Sequence, residues 1–535
     1  MSRPLVTSGM IAETRGVTPR AALRIVEELG TAEDDGAGEV SGVGSGEWGV
    51  GSGEWGVGSG EWGVGSGLAC ANCTTILYNG DISNNVQDMK FVKASGLTES
   101  EKVLADLCNG SFLQLWTYPN LFSKPGKELC DLLVVFGRYV LVFSDKNCTY
   151  GTAEDDELNW KRWYKKSIAH SAAQIESAIT WISEQPDEIY LDAKCSQRLP
   201  IDLPDPKEAI FHRICVALGA SAITREKFGR PSLRIEPAIK DGKKPLTIGR
   251  LSHARGWVHV FDEESLPVVV KQLSTASDFV AYLNARSKLL GDGVFVSAEA
   301  ETDLLARYLW HNRSFPNETE QYVIEPDLWP KVSADVNFRA GQKEDQVSYF
   351  WDHLIERVTG RFIDGTLETG NELTVPEYES MARILAGESR FSRRVLAKLI
   401  IDRANRAKDA AIGTLLPSCQ SDVTYVLYIG QGAAPSRYDH YRKDRAMTLR
   451  ARCIAAKAVL PEKRFIVGVG LDAAGSKGSS EDFVLIDTLE WSDEVLKKAE
   501  DLRRDLGYFI EGRAVLAQFV EAEYPGSDIS VDYRA

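Results

Sequence analysis

Two short apolar runs, Leu132–Phe136 and Tyr139–Phe143, are rich in valine and aromatic residues and are separated only by Gly137-Arg138. This pattern predicts a tight antiparallel β-hairpin. Asp131 opens the first strand, and Ser144-Asp145-Lys146 closes the second. The start of one hairpin strand lies beside the end of the other, so Asp131 and Lys146 are predicted to be neighbours at one end of a sheet.

The flanking pattern extends this unit. Thr98 and Glu101 form a capping box ahead of a helix whose apolar face is Val103, Leu104 and Leu107. Phe112–Phe122 then reads as a strand ending at Pro119. After the hairpin comes an acidic loop, 147–158. A long helix follows from about 159 to 182, with Lys161, Arg162, Lys165 and Lys166 in its first turns and Gln174 in a small, apolar setting. Glu188–Asp192 gives one further strand. The order is helix, strand, strand, strand, helix, strand.

Three prolines mark a junction near 192–230, and Ile214, Val216 and Leu218 alternate as a strand should. His212, in the same run, is expected to be a structural residue at a strand end. Gly256–Phe261, with His259 in it, is another strand, and Leu266–Leu283 a helix or helix pair. Helical periodicity dominates from about 303 to 405, where Arg390, Arg393, Arg394, Lys398, Arg403 and Arg406 form a basic stripe. A solvated helix face is the default reading of that stripe; a phosphate-contacting surface is the other. Residues 421–535 read as a small α/β unit. Gly430-Gln-Gly432 after its first strand lacks the third glycine of a dinucleotide loop, and Ala473–Ser480 is not a nucleotide-binding loop either.

The N-terminus is different in texture. Residues 1–30 have helix-turn-helix spacing: a short helix, a turn at Gly16-Val17, Thr18-Pro19 as cap and first position, then a helix ended by Gly30. The fragment resembles the C-terminal helix-turn-helix module of a bacterial family, without the expected third helix. GVGSGEW then occurs three times between Gly42 and Trp62. Glycine-dominated units cannot repay their ordering entropy, so 31–92 is expected to be a largely disordered linker. Trp48, Trp55 and Trp62 have no assigned site. Cys70 and Cys73 have metal-ligand spacing but no second pair to complete a tetrahedron.

Composition narrows the class. The chain is 44% hydrophobic and 26% charged, as expected of a globular protein with room for several cores. A net charge of -15 argues against non-specific coating of nucleic acid, while leaving local basic grooves open. No apolar run approaches the roughly 20 residues of a membrane span. Nine scattered cysteines fit reduced thiols in a cytoplasm.

The element order, with an aspartate before the second strand and a lysine closing the third, follows the plan of the restriction-endonuclease-like PD-(D/E)xK superfamily. The stretch GKELCDLLVVFGRYVLVFSDK resembles its core motif, in particular that of the Mrr-like and nuclease-related branches. The segment from about Leu97 to Phe261 also resembles a widespread bacterial family of uncharacterised proteins, which implies no activity. Beyond 195 the patterns read as an α/β extension (196–300), a mainly helical region (301–420) and the small α/β domain (421–535), and the nuclease resemblance implies a mixed α/β sheet flanked by helices at 93–195. It implies Asp131 as a metal-binding acid, Lys146 as the lysine that serves the water or phosphate, Gln174 as a positioning residue, and Glu99 or Glu101 as the first-helix acid. The cofactor would be magnesium or manganese, and the partner nucleic acid, DNA before RNA.

One position departs from the motif. The residue two before the lysine should be acidic and is Ser144. Side chains alternate along a strand, so Ser144 and Lys146 share a face and Asp145 points to the other. A bulge could turn Asp145 inward; Glu128 or Glu101 could supply the missing oxygen; otherwise catalysis is lost. The expected function is metal-dependent phosphodiester hydrolysis, in a role such as defence against foreign DNA. The alternatives are an inactive nuclease-fold binding module and a DNA-binding regulator acting through the N-terminal helices.

Overall fold

A computed structural model describes residues 45–47, 93, 96, 98–291, 295–315, 321–365, 367, 374–476, 480–510 and 521–524. The helix-turn-helix-like fragment at 1–30, Trp48, Trp55, Trp62, Cys70 and Cys73 lie outside the described residues. Within the expected linker, Ser45–Glu47 is described, as a strand (β1). The chain divides into two units. One comprises Phe91–Gln346, Leu385–Phe391 and Glu521–Ala535; the other comprises Met1–Lys90, Val347–Ile384 and Ser392–Val520.

The first unit opens with α1 (Glu99–Phe112), started by the expected capping box: Thr98 Oγ1 accepts from the Glu101 amide, and the Glu101 carboxylate accepts from the Thr98 amide. The buried side is Leu104, Ala105, Cys108 and Phe112; Val103 is exposed, not part of the apolar face. β2 (Thr117–Lys124) runs through Pro119 instead of ending there. It is an edge strand, and an edge tolerates proline's missing N–H. β3 (Lys127–Phe136) and β4 (Tyr139–Asn147) form the predicted hairpin in the register Leu132↔Phe143 to Phe136↔Tyr139. Gly137, at the turn, has φ of 58°, which glycine adopts without steric cost. α2 (Asp156–Tyr164) passes through a π turn, Lys165–Ala169, into α3 (His170–Glu184).

The expected strand Glu188–Asp192 is not one. Tyr190 makes only isolated bridges to Phe122 and Arg198. Asp192 accepts from the amides of Lys194, Ser196 and Gln197, and that side-chain-to-backbone bonding turns the chain. The place beside β4 is taken by β5 (Ile210–Leu218), parallel and in register from Tyr139↔Ile210 to Asn147↔Leu218. After α4 (Ser221–Phe228) and the parallel pair β6 (Arg234–Lys240) and β7 (Thr247–Arg250), β8 (Val258–Phe261) adds parallel to β5. The sheet order is β2-β3-β4-β5-β8, so its last two strands lie beyond the boundary expected at 195.

The unit continues with α5 (Ser265–Gln272), α6 (Ala276–Gly291), β9 (Phe295–Ser297), α7 (Glu301–Trp310), β10 (Gln321–Val323), α8 (Leu328–Ala334) and α9 (Val336–Glu344). Here the two histidines find their place. His212 is inside β5, buried, its ring 5.5 Å from that of His259. Burial lowers His212 to about 4 and holds His259 well below the usual imidazole range, with Arg286 adding to the second effect. Arg286 reaches His259 Nδ1 at 3.1 Å and pairs with both oxygens of Glu301 at 2.8 and 2.7 Å. Both histidines belong to the core.

The second unit contains α10 (Tyr349–Ile363), α11 (Val375–Ala386), α12 (Arg390–Arg406), β11 (Ile412–Leu416), β12 (Val423–Gly430), α13 (Tyr438–Val459), β13 (Phe465–Asp472), β14 (Ser480–Asp487) and α14 (Asp493–Leu506). Residues 385 and 386, at the end of α11, and 390 and 391, at the start of α12, are grouped with the first unit. The sheet order is β1-β14-β13-β12-β11, with β12 and β13 parallel and joined by α13. The basic stripe is not a uniformly solvated face. Arg390, Arg393 and Arg394 are buried; Arg393 pairs with Asp352 at 2.6 Å, and Arg390 donates to Ser274 Oγ at 3.0 Å. Among the described residues no helix is long and apolar enough to cross a membrane.

Candidate functional site

The hairpin delivers Asp131 to a row that crosses the sheet. Asn120 stands between Pro119 and Leu121, whose partners Leu132 and Cys130 flank Asp131 on β3. Ser144 is the next residue after the Leu132↔Phe143 pair and is itself opposite Cys215 on β5. Asp131, Ser144 and Asp145 are all buried at this end of the sheet, while Lys146 keeps a third of its side chain exposed.

Asp131 is the acceptor around which the others gather. Its Oδ2 accepts from the Asp145 amide at 2.5 Å and from Lys146 Nζ at 3.4 Å; its Oδ1 accepts from Gln174 Nε2 at 3.3 Å. The predicted proximity of Asp131 and Lys146 therefore holds. Gln174 is brought in by α3, and its Oε1 accepts from Ser144 Oγ at 3.3 Å. Serine thus braces the glutamine that braces the aspartate.

The opposite face of β4 carries Asp145. β4 and β5 pair without a register shift through Ser144, Asp145 and Lys146, so no bulge turns Asp145 toward the Ser144 face. Ser100, on α1, is a neighbour that favours its charged form, and its Oδ1 is buried without a hydrogen-bond partner among the described residues. Burial raises the Asp145 carboxyl above its ordinary range; Asp131 and Glu101 add to the rise, and Ser100 and Lys146 oppose it. Glu128 is raised by burial too, with Asp131 and Glu101 among its negative neighbours. Four carboxylates and one lysine thus share an electrostatic neighbourhood.

Asn120 ties the outer pair together. Its Nδ2 donates to Glu101 Oε2 at 2.9 Å and Glu128 Oε1 at 3.0 Å. It is fully buried, with φ of 49°, a conformation that asparagine tolerates better than most residues. Neither Asn120 nor Ser100 stands out in the sequence; the signal for Asn120 was the Pro-Asn pair, a turn dipeptide inside a strand pattern. Glu99 has no place in this network: its carboxylate pairs with Lys102 on the exposed side of α1.

Chemically the arrangement offers hard oxygen atoms, one cation and a buried, electrostatically costly carboxylate. Among the described residues no three His, Cys, Asp or Glu side chains are grouped as a ready-made metal cage.

A family model described as an HTH DNA binding domain matches residues 1–49 of this chain, beyond the thirty residues in which the spacing was legible. No curated protein and no solved structure matches the chain.

Proposed function

We propose that this protein acts on DNA, and that the end of the β3–β4 hairpin is a metal-dependent phosphodiesterase site. The observation that carries the reading is the convergence of the Asp145 amide, Lys146 and Gln174 on the Asp131 carboxylate. Support also comes from the order of elements. A helix, an antiparallel three-strand meander, a helix and a strand parallel to β4 together fit a restriction-endonuclease-like core. The N-terminal HTH match makes DNA the first substrate to test.

In this reading Asp131 would hold magnesium or manganese, water and substrate oxygens completing the ion's shell, while Glu128, Glu101 and Asp145, whose carboxylate lies on the other face, would be its acidic neighbours. When bound, the ion supplies Lewis-acid activation of water and of the phosphate. Lys146, partly exposed, sits where its charge can meet the phosphate or orient the attacking water. Gln174 and the Asp145 amide keep the Asp131 carboxylate from rotating. Ser144 contributes position, not a metal ligand.

Two other readings each rest on one observation. Ser144, in the place of the motif acid, is fully buried and engaged with Gln174, which favours an inactive nuclease fold used for binding. The HTH match favours a DNA-binding regulator. Supercoiled plasmid incubated with the full chain and Mg²⁺ or Mn²⁺, beside Asp131→Ala and Lys146→Ala, separates them. Nicking lost in both variants upholds the hydrolytic reading. No cleavage of DNA or of a parallel RNA substrate by the folded wild type rejects it. A gel shift that disappears when 1–49 are deleted then points to the regulator.

A further inference from the structure

α2 and the π turn that leads from it into α3 border a cavity that the acidic site does not use. It measures about 290 Å³ and is lined by Lys161, Tyr164, Lys165, Ala169, Asp241, Gly242 and His253. Its polar lining is mostly basic, in a chain whose net charge is -15.

The charges here are not internally cancelled. Asp241 is the one carboxylate in the lining, and it is already engaged: Ser252 donates to it through its amide at 2.8 Å and its hydroxyl at 2.6 Å. Those bonds hold Asp241 below the usual carboxylate range. Lys161 has a partner, Glu157 at 2.6 Å, but both side chains are 63% exposed, so the pair is weak and easily exchanged. Among the described residues the side chains of Lys165 and His253 make no ion pair or hydrogen bond, and His253 is near enough to help hold Asp241 low. Tyr164 lines the same cavity, and its buried hydroxyl is also without a partner. The loop closes on this ring directly. Gly242 has φ of 65°, and a Cβ there would stand 2.7 Å from the Tyr164 ring.

We propose that this cavity binds a phosphate group, with Lys161 and Lys165 as its cationic ligands and the ring of His253 as a further hydrogen-bonding ligand. Several donors, one preoccupied acid and an opening to solvent suit a compact polyoxyanion better than an apolar or cationic ligand. The phosphate has two possible sources, a nucleic-acid strand or a free phosphate or phosphomonoester. Lys165 lies on the same continuous helical segment as Gln174, roughly 13 Å away at ~1.5 Å per residue. A strand engaged at the hairpin end is long enough to reach it. The inference does not rest on hydrolysis, because it concerns binding alone.

The test is made on the full chain in EDTA, where no cleavage intervenes. Inorganic phosphate binding is followed by calorimetry, and binding of a fluorescein-labelled duplex by anisotropy. Lys165→Ala and His253→Ala are each expected to weaken phosphate binding about tenfold, the equivalent of one charge-assisted hydrogen bond. Lys165→Arg, which keeps the charge, is expected to restore it. If the duplex also weakens and phosphate displaces it, the source is a strand; if only phosphate weakens, the source is a free phosphate. Phosphate affinity unchanged in both alanine variants, or no phosphate binding by the wild type, overturns the proposal.

Discussion

The backbone amide of Asp145 donates to the carboxylate of Asp131 across the hairpin, at 2.5 Å. The residue beside the position of the motif acid therefore reaches Asp131 through its main chain, while its own carboxylate lies on the other face of the sheet. Replacing Asp131 separates the two roles this contact implies. Asp131→Asn keeps the shape and one acceptor oxygen; Asp131→Ala leaves the Asp145 amide and Gln174 without their acceptor. Both variants are expected to lose metal-dependent nicking by at least about 100-fold, a loss typical of removing a group that stabilises charge in the transition state. Only the alanine is expected to lose ~1–3 kcal/mol of stability, from a buried donor left unsatisfied. Urea unfolding beside the plasmid assay distinguishes them, and equal nicking by all three proteins would remove Asp131 from the site.

Ser144 is the second test. An acid at this position would stand on the same face as Lys146, beside Asp131, with Gln174 against it. Ser144→Asp should therefore lower stability in EDTA, because a second buried carboxylate repels Asp131. Added Mg²⁺ should raise the Tm of the variant more than that of the wild type, as ligand binding to the native state raises Tm by mass action. The readout is the Mg²⁺-induced change in Tm of variant against wild type. An identical metal response in the two proteins would mean that no ion is held between strands β3 and β4.

Much of the hairpin end was legible because its signals are local. Two valine-rich runs, a two-residue turn with glycine first, and polar residues at both outer ends specify a register, and the register alone brings Asp131 to Lys146. Other features depended on tertiary structure that periodicity does not report. Glu188–Asp192 has the composition of a strand, but the Asp192 side chain captures three following amides, and the place beside β4 is filled by β5, which begins at Ile210. Val103 occupies an apolar position in the helical pattern yet faces solvent. Arg390 and Arg393 read as a solvated face because nothing local announces Ser274 or Asp352, their distant partners. Asn120, the bridge between two acids, was hidden in a run read only for its apolar residues.

The N-terminal segment offers a third expectation. Residues 1–49 match an HTH DNA binding domain, and the hairpin end is the site proposed for hydrolysis. If both act on DNA, deleting 1–49 should weaken duplex binding by about tenfold or more while leaving the rate at saturating DNA within about twofold. Anisotropy titrations and nicking at high DNA concentration measure the two quantities separately. Loss of both together would instead tie the N-terminus to the integrity of the site.

The last expectation concerns the second unit. Glu481, on β14, is fully buried; Arg357 Nε lies 3.3 Å from its Oε1, yet neither carboxylate oxygen has a hydrogen bond among the described residues. Burial pushes this carboxyl up to about 7, against the pull of Arg357, Arg361 and Arg445. The folded state therefore binds the proton more tightly than the unfolded chain, whose glutamate titrates near 4.5. The linked stability is fully present below about pH 4.5 and is lost as the pH rises through 7. Glu481→Gln keeps the side-chain shape and removes the charge that must be buried at high pH. The variant should gain little at pH 5 and several degrees in Tm at pH 8, since ~1 kcal/mol moves Tm by roughly 2–4 °C in a unit of this size. Thermal unfolding of both proteins from pH 5 to 8 measures the difference, and a Tm gap that stays constant across that range would show that Glu481 does not titrate there.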